Sequence, residues 1–277
     1  MSGIGFYKLW YENAEENLIV KERRIGFEKI SELDLKIDVD CYECFKNNTF
    51  NCENCSIFDS DLFIRWDDEI QWSIAPIKEL ISPFWIVPRQ SHWYYNAISE
   101  HSISGMFYRF KSGNKCYARV FAFGILKALT ENSRFKKAHL DYIIGIPLSP
   151  EKINDNEFDR VSELCKICSR EMNICYLKNA LSLSEPISRR DYKLAGKSKN
   201  FLLDYYKFLQ LKTPELNNKT ILLIDDVLTD GETLRTASYK INDCYPKSKI
   251  YAAIGGIMAT KNNMKFKEIQ KFKNNIE

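Results

Sequence analysis

Asp225 and Asp226 are adjacent carboxylates placed directly after the apolar run Ile221-Leu222-Leu223-Ile224. Behind them come Thr229, Asp230, Gly231, Glu232 and Thr233, in a short turn that opens a helix near Glu232. Neighbouring acids at the end of a buried strand are costly unless something uses them. Glycine lets the backbone turn tightly, hydroxyls donate to phosphate oxygens, and the N–H groups of a starting helix point outward toward an anion. Carboxylates beside such a turn can accept from the hydroxyls of a diol and help hold Mg²⁺. These residue types describe a sugar-phosphate site, with Asp225 and Asp226 on the hydroxyls and metal and residues 229–233 around the phosphate.

A second group is built of thiols. Cys41, Cys44, Cys52 and Cys55 form two C-x-x-C pairs separated by seven residues. Each pair turns two thiolates toward one cation, and two pairs complete a tetrahedral, structural Zn²⁺ site with no open position. Reduced thiols and iron–sulfur or redox chemistry are the alternatives for this pattern. Cys165 and Cys168 share the spacing, but Phe158, Val161, Leu164, Ile167 and Met172 recur around them at helical period. These two read as buried structural cysteines of an amphipathic helix.

The elements that must position these groups follow from the apolar pattern. Residues 103–134 read as helical with a turn near Gly113–Asn114, and "DYIIGIPLS" as a short buried strand ending at Pro147. The amphipathic helix through Cys165 follows, then a strand in "ICYLKNAL" and a basic stretch that becomes helical or strand-like near Phe201. A strand over Thr220–Val227, a helix from about Glu232 and a strand in "KIYAAIGGIMA" complete the series. Strands alternating with helices predict an α/β domain with a mainly parallel sheet flanked by helices. In such sheets the ligand sits beyond the carboxyl ends of the strands, where Asp225 and Asp226 fall.

Upstream, the texture differs. Residues 56–100 hold Trp66, Trp72, Trp85 and Trp93 with Pro76, Pro83 and Pro88, which predicts irregular structure packed by large side chains. The expected organisation is an N-terminal extension over 1–40, a zinc-knuckle module and aromatic-rich linker over 41–100, and the α/β domain over 101–277. Charge divides along the same line. Residues 1–100 carry 10 Lys+Arg against 18 Asp+Glu, while the rest of the chain carries 30 against 19, so the overall +3 conceals a positive second half suited to anions. No apolar run approaches the roughly 20 residues that span a bilayer. "MSGIGFYKLWYENAEEN" has acids where a signal peptide has its apolar core, so the expected location is cytoplasmic, without membrane insertion.

The stretch 221–233 resembles the PRPP-binding motif of type I phosphoribosyltransferases: an apolar strand, two acids, then a Thr/Gly-containing phosphate loop. With cysteine knuckles ahead of it and "MFYRFKSGNKCYAR" between, the chain resembles the ComF family, over roughly residues 40–260. The resemblance implies a type I phosphoribosyltransferase-like fold preceded by a small zinc-binding module. It implies that Asp225 and Asp226 hold the ribose hydroxyls with Mg²⁺, and that Thr229 through Thr233 wrap the 5′-phosphate. The turn Pro147-Leu148-Ser149 lies where diphosphate would bind, and Arg189, Arg190 and Lys193 are further candidates from the basic segment.

Two departures stand out. Asp230 and Glu232 put acids into the phosphate loop, where a carboxylate facing a phosphate costs on the order of 1–4 kcal/mol unless turned away or countered. Asn156-Glu157-Phe158-Asp159-Arg160 stands where the family has Arg-Gly-Phe-Asn-Gln. The function implied is a PRPP-dependent transferase, or a PRPP-binding relative, acting in DNA uptake or nucleotide metabolism. The alternative is a non-catalytic module for single-stranded DNA or a helicase partner, suggested by the positive half and the tail "KNNMKFKEIQKFK".

Overall fold

The computed structural model describes residues 76–86, 103–154, 158–196, 201–229 and 231–258. The four knuckle cysteines, the extension over 1–40, Trp66, Trp72, Trp93, Asp230 and the basic tail lie outside the described residues. So do the side chains of Arg189, Arg190 and Lys193.

Among the described residues the chain begins with two short strands, β1 (Leu80–Ile81) and β2 (Trp85–Ile86). Helix α1 (Ile103–Lys111), a 3₁₀ turn (Lys115–Tyr117), α2 (Ala118–Glu131) and α3 (Ser133–Lys136) precede β3 (Tyr142–Gly145). Then come α4 (Pro150–Asn154), α5 (Arg160–Met172), β4 (Cys175–Tyr176) and β5 (Leu181–Leu183). After α6 (Arg189–Leu194), α7 (Phe201–Phe208) and β6 (Leu209–Leu211), the chain enters β7 (Thr220–Leu228), α8 (Glu232–Cys244) and β8 (Lys249–Met258).

The main sheet runs β1-β8-β7-β3-β4, with β2 also paired to β8, and every pairing in it is parallel. β5 and β6 form a separate antiparallel ribbon. The architecture is therefore α/β with a mainly parallel sheet flanked by helices, as the alternation of elements predicts. Ile221, Leu222, Leu223 and Ile224 are all fully buried, as expected for the central strand of a sheet covered on both faces. At the start of β7, Thr220 N–H donates to Asp141 Oδ2 at 2.8 Å and Asp141 N–H to the Thr220 carbonyl at 2.8 Å, which locks the register of β3 against β7.

Topology selects one end of one crevice. β3 leads through α4 and α5 to β4 on one side, whereas β7 leads through α8 to β8 on the other. The strand order therefore reverses between β3 and β7, and a crevice opens at their carboxyl ends. Right-handed crossovers in opposite directions put α5 and α8 on opposite faces. Gly145, the last residue of β3, lies under α5. A Cβ there would sit 2.9 Å from Val161 Cγ1 and 3.1 Å from Cys165 Sγ, so the missing side chain is what lets α5 approach.

The α1–α2 hairpin is held by aromatic packing. Phe107 meets Phe121 edge-on at 5.5 Å, Phe110 stacks on Phe121 at 5.4 Å, and Phe110 meets Phe158 edge-on at 5.8 Å. Since Phe158 leads into α5, this contact brings the end of α1 beside the start of α5. Cys165 and Cys168 are fully buried, as the helical spacing predicts, and the Cys168 thiol lies 3.9 Å from the Ala122 carbonyl.

Two differences from the sequence expectations stand out, and one choice left open between helix and strand is resolved. The stretch 174–181 splits into β4 and the start of β5, because Asn179 takes a left-handed turn with φ 58°. The segment near Phe201 is helical. The sheet takes its edge strands from residues 80–86, upstream of the expected domain start at 101, where irregular structure is predicted.

Candidate functional site

β7 carries Asp225 and Asp226 to the carboxyl end of the sheet, at the reversal between β3 and β7. Side chains alternate along a strand, so the two acids point to opposite faces. Asp226 shares its face with Ile224, whose register partner is Gly145 under α5. There Arg160, the first residue of α5, donates from Nε to Asp226 Oδ2 at 2.8 Å. Its Nη1 donates to the Lys111 carbonyl at 3.1 Å. Asp226 is 8% exposed and Arg160 9%, so this is a buried, hydrogen-bonded ion pair. Asp159 caps the helix by accepting from Ser162 N–H at 2.9 Å, which fixes the position from which Arg160 reaches out.

Asp225 is half-buried, and its Oδ1 accepts from the Asp226 backbone N–H at 2.8 Å. Burial and the neighbouring charge of Asp226 push its carboxyl well above the ordinary carboxylate range, against the Asp226 N–H bond and the positive charge of Lys111, which act downward. Tyr205 on α7 is buried, its hydroxyl has no hydrogen-bond partner within the described protein, and both burial and the Asp225 charge push that hydroxyl up. An orphaned buried hydroxyl that feels the charge of a buried carboxyl is the kind of incomplete polar set that a ligand completes.

The turn after β3 lies alongside. Ile146 N–H donates to the Ile224 carbonyl at 2.9 Å, so Pro147, Leu148 and Ser149 leave the sheet next to the two acids. Ser149 Oγ is also buried without a partner among the described residues. The phosphate-loop candidates open α8. Gly231 has φ 74°, a left-handed conformation that favours glycine, and it starts the helix without a side-chain cap. Thr229 is exposed, Glu232 and Thr233 are half-buried, and Leu234 at 1% exposure anchors the turn to the core. Arg189, Arg190 and Lys193 fall on α6, held at its start by the buried Ile187. The structure thus brings 147–149, 225–226 and the α8 start to the same end of the sheet.

Among the described residues no group of three or more His, Cys, Asp or Glu side chains could cage a metal. Mg²⁺ does not need one, since it commonly takes one or two carboxylates plus ligand phosphates and water. Asp225 fits that use, because Arg160 does not occupy it. Two residues of this region were not legible as site residues. Arg160 reads in sequence as a solvated charge on an amphipathic helix, and Tyr205 as one aromatic among many. The one available signal for Arg160 was an unpaired buried acid elsewhere that needed a cation.

No family model matches the sequence, and no curated protein matches it. Among solved structures the chain is similar to UMP synthase of Leishmania donovani, with a TM-score of 0.28 and 15% identity, over 57% of this chain and 29% of that one. The match therefore spans less than a third of that protein's length. No helix among the described residues is long and apolar enough to cross a membrane.

Proposed function

We propose that this chain is a phosphoribosyltransferase-like protein of the ComF type that binds PRPP, or a related ribose phosphate, together with Mg²⁺. The observation that carries the reading is the acid pair at the reversal point of a parallel sheet, flanked by the turn 147–149 and by the glycine-led start of α8. Crevices of this kind hold ligands at the strand ends. In this reading the acid pair stands at the ribose and metal end of the site, and backbone N–H groups of the turn that opens α8 face the 5′-phosphate. The turn 147–149 faces the diphosphate, with Ser149 Oγ as a donor, and Arg189, Arg190 and Lys193 add positive charge. Mg²⁺ neutralises diphosphate charge. The chain's own contribution is to orient the ribose and to present fixed donors where charge develops. The Cys41, Cys44, Cys52 and Cys55 set belongs to the same reading as a structural Zn²⁺ site.

Isothermal titration of the protein with PRPP and Mg²⁺ tests this. Saturable heat in the wild type that disappears in Asp225→Asn supports it, and no heat in the wild type removes it. The positive second half also supports a second reading, a module for single-stranded DNA or a helicase partner. That reading requires strand binding that weakens steeply as salt rises.

A further inference from the structure

We infer that Arg160 divides the labour of the acid pair: it commits Asp226 to positioning the site and leaves Asp225 as the carboxyl that meets the ligand. This rests on the ribose-phosphate reading above and refines it. Four observations carry it. The Arg160 Nε–Asp226 Oδ2 bond of 2.8 Å is buried on both sides, so one Asp226 oxygen is already occupied. Arg160 also holds the Lys111 carbonyl at 3.1 Å, joining three separate pieces of chain: the end of α1, the start of α5 and the end of β7. Strand alternation puts Asp226 on the face that α5 covers and Asp225 on the opposite one. Within reach of the Asp225 charge stands Tyr205, whose buried hydroxyl has no partner among the described residues.

A ligand diol that tried to use Asp226 as its main acceptor would compete with a guanidinium already bonded in low dielectric. Removing that guanidinium's partner strands a buried charge. Asp225 carries no such commitment. Its Oδ1 accepts from the Asp226 N–H, which orients the carboxylate, and among the described residues no ion pair holds it, so it is the carboxyl open to a ribose hydroxyl or Mg²⁺. Arg160 is thus a positioning residue. Through the Lys111 carbonyl it also fixes where the Lys111–Lys115 loop, with its two exposed lysines, stands relative to the acids.

The test is a set of PRPP–Mg²⁺ titrations, each run well below the variant's own melting temperature. The set comprises wild type, Asp225→Asn, Asp226→Asn, Arg160→Lys and the double variant Arg160→Gln/Asp226→Asn. The double variant keeps an amide–amide hydrogen bond without either charge. It is expected to retain affinity within about three- to five-fold of wild type, and Arg160→Lys likewise, while Asp225→Asn loses at least about a hundred-fold. Asp226→Asn alone is expected to weaken binding, with affinity restored when Arg160→Gln is added. If the double variant is folded by circular dichroism and yet loses binding as completely as Asp225→Asn, Asp226 contacts the ligand itself and the inference is overturned. Should the wild type give no heat at all, the ribose-phosphate reading falls and takes this refinement with it.

Discussion

Arg160 and Asp226 lie 66 positions apart in sequence, yet the guanidinium Nε meets the carboxylate Oδ2 at 2.8 Å, with both side chains about nine-tenths buried. The bond ties the first turn of α5 to the end of the central strand. A buried pair of this kind is expensive to break from one side and cheap to replace as a whole.

That asymmetry gives the first prediction. Asp226→Ala, which strands the Arg160 guanidinium, is expected to cost about 3–5 kcal/mol of unfolding free energy. The apolar pair Arg160→Met/Asp226→Leu is expected to cost far less than the sum of its two single changes. Urea unfolding of the four members of the cycle measures this. Additive single-variant effects would show that the two groups are not coupled.

Asp225 makes the opposite kind of prediction, about pH. Burial and the Asp226 charge hold its carboxyl pKa above the value in the unfolded chain. A group raised in this way contributes stability that is fully present below about pH 4, its unfolded pKa, and is lost as pH rises through the folded value. At neutral pH the raised Asp225 carboxyl therefore costs the ligand-free protein stability relative to acid pH. Asp225→Asn is expected to raise the melting temperature at pH 7 and to gain little or nothing at pH 4. Asp141 runs the other way: its bond from the Thr220 N–H lowers its carboxyl, so its contribution is present above about pH 4 and is lost as pH falls through the lower folded value. In thermal melts between pH 2 and 8, the gain of Asp225→Asn over wild type should grow as pH rises above about 4, while the deficit of Asp141→Asn should be steady above about pH 4 and shrink as pH falls below it. Parallel shifts would contradict both assignments.

Thiol reactivity supplies a third. Burial pushes the Cys165 thiol well up and the Cys168 thiol up to about 12, while Cys175 and Cys244 are exposed. Brief treatment of the native protein with iodoacetamide at pH 8, read by peptide mass mapping, is expected to label Cys175 and Cys244 and to spare Cys165 and Cys168. Labelling of either α5 cysteine at the rate of the exposed pair would show that the helix does not seal against α2 and β3 as described.

Much of the site was legible because it is local. The Ile221–Ile224 run followed by two acids and a glycine turn is contiguous, and a parallel strand buried on both faces announces itself by continuous apolar character. The helix through Cys165 was equally legible, since its period is set within one element. What escaped depended on distance in the chain. Arg160 takes its meaning from Asp226 and from the Lys111 carbonyl, neither of which any local window contains. β1 and β2 escaped because each is two residues long and Pro83 lies between them, so no alternation can develop. Their identity as strands comes from β8, which pairs Leu80 with Ala252 and Trp85 with Ile257. The break in 174–181 is a matter of turn chemistry, because Asn179 reaches a left-handed conformation more easily than most side chains.

That upstream edge has a bearing on how the chain assembles. β8 is the last strand described, and it is flanked on one side by β7 and on the other by residues 80–86, about 170 positions earlier. Closing so long a loop is entropically slow compared with forming the β7–α8–β8 unit. Until it closes, β8 presents an unpaired apolar edge of the sort on which neighbouring chains add strands. Residues 80–86 therefore act as a built-in guard against aggregation. A chain begun at 101 would lose this guard together with the buried Phe84, which meets Phe121 edge-on at 5.8 Å, and would be prone to precipitate.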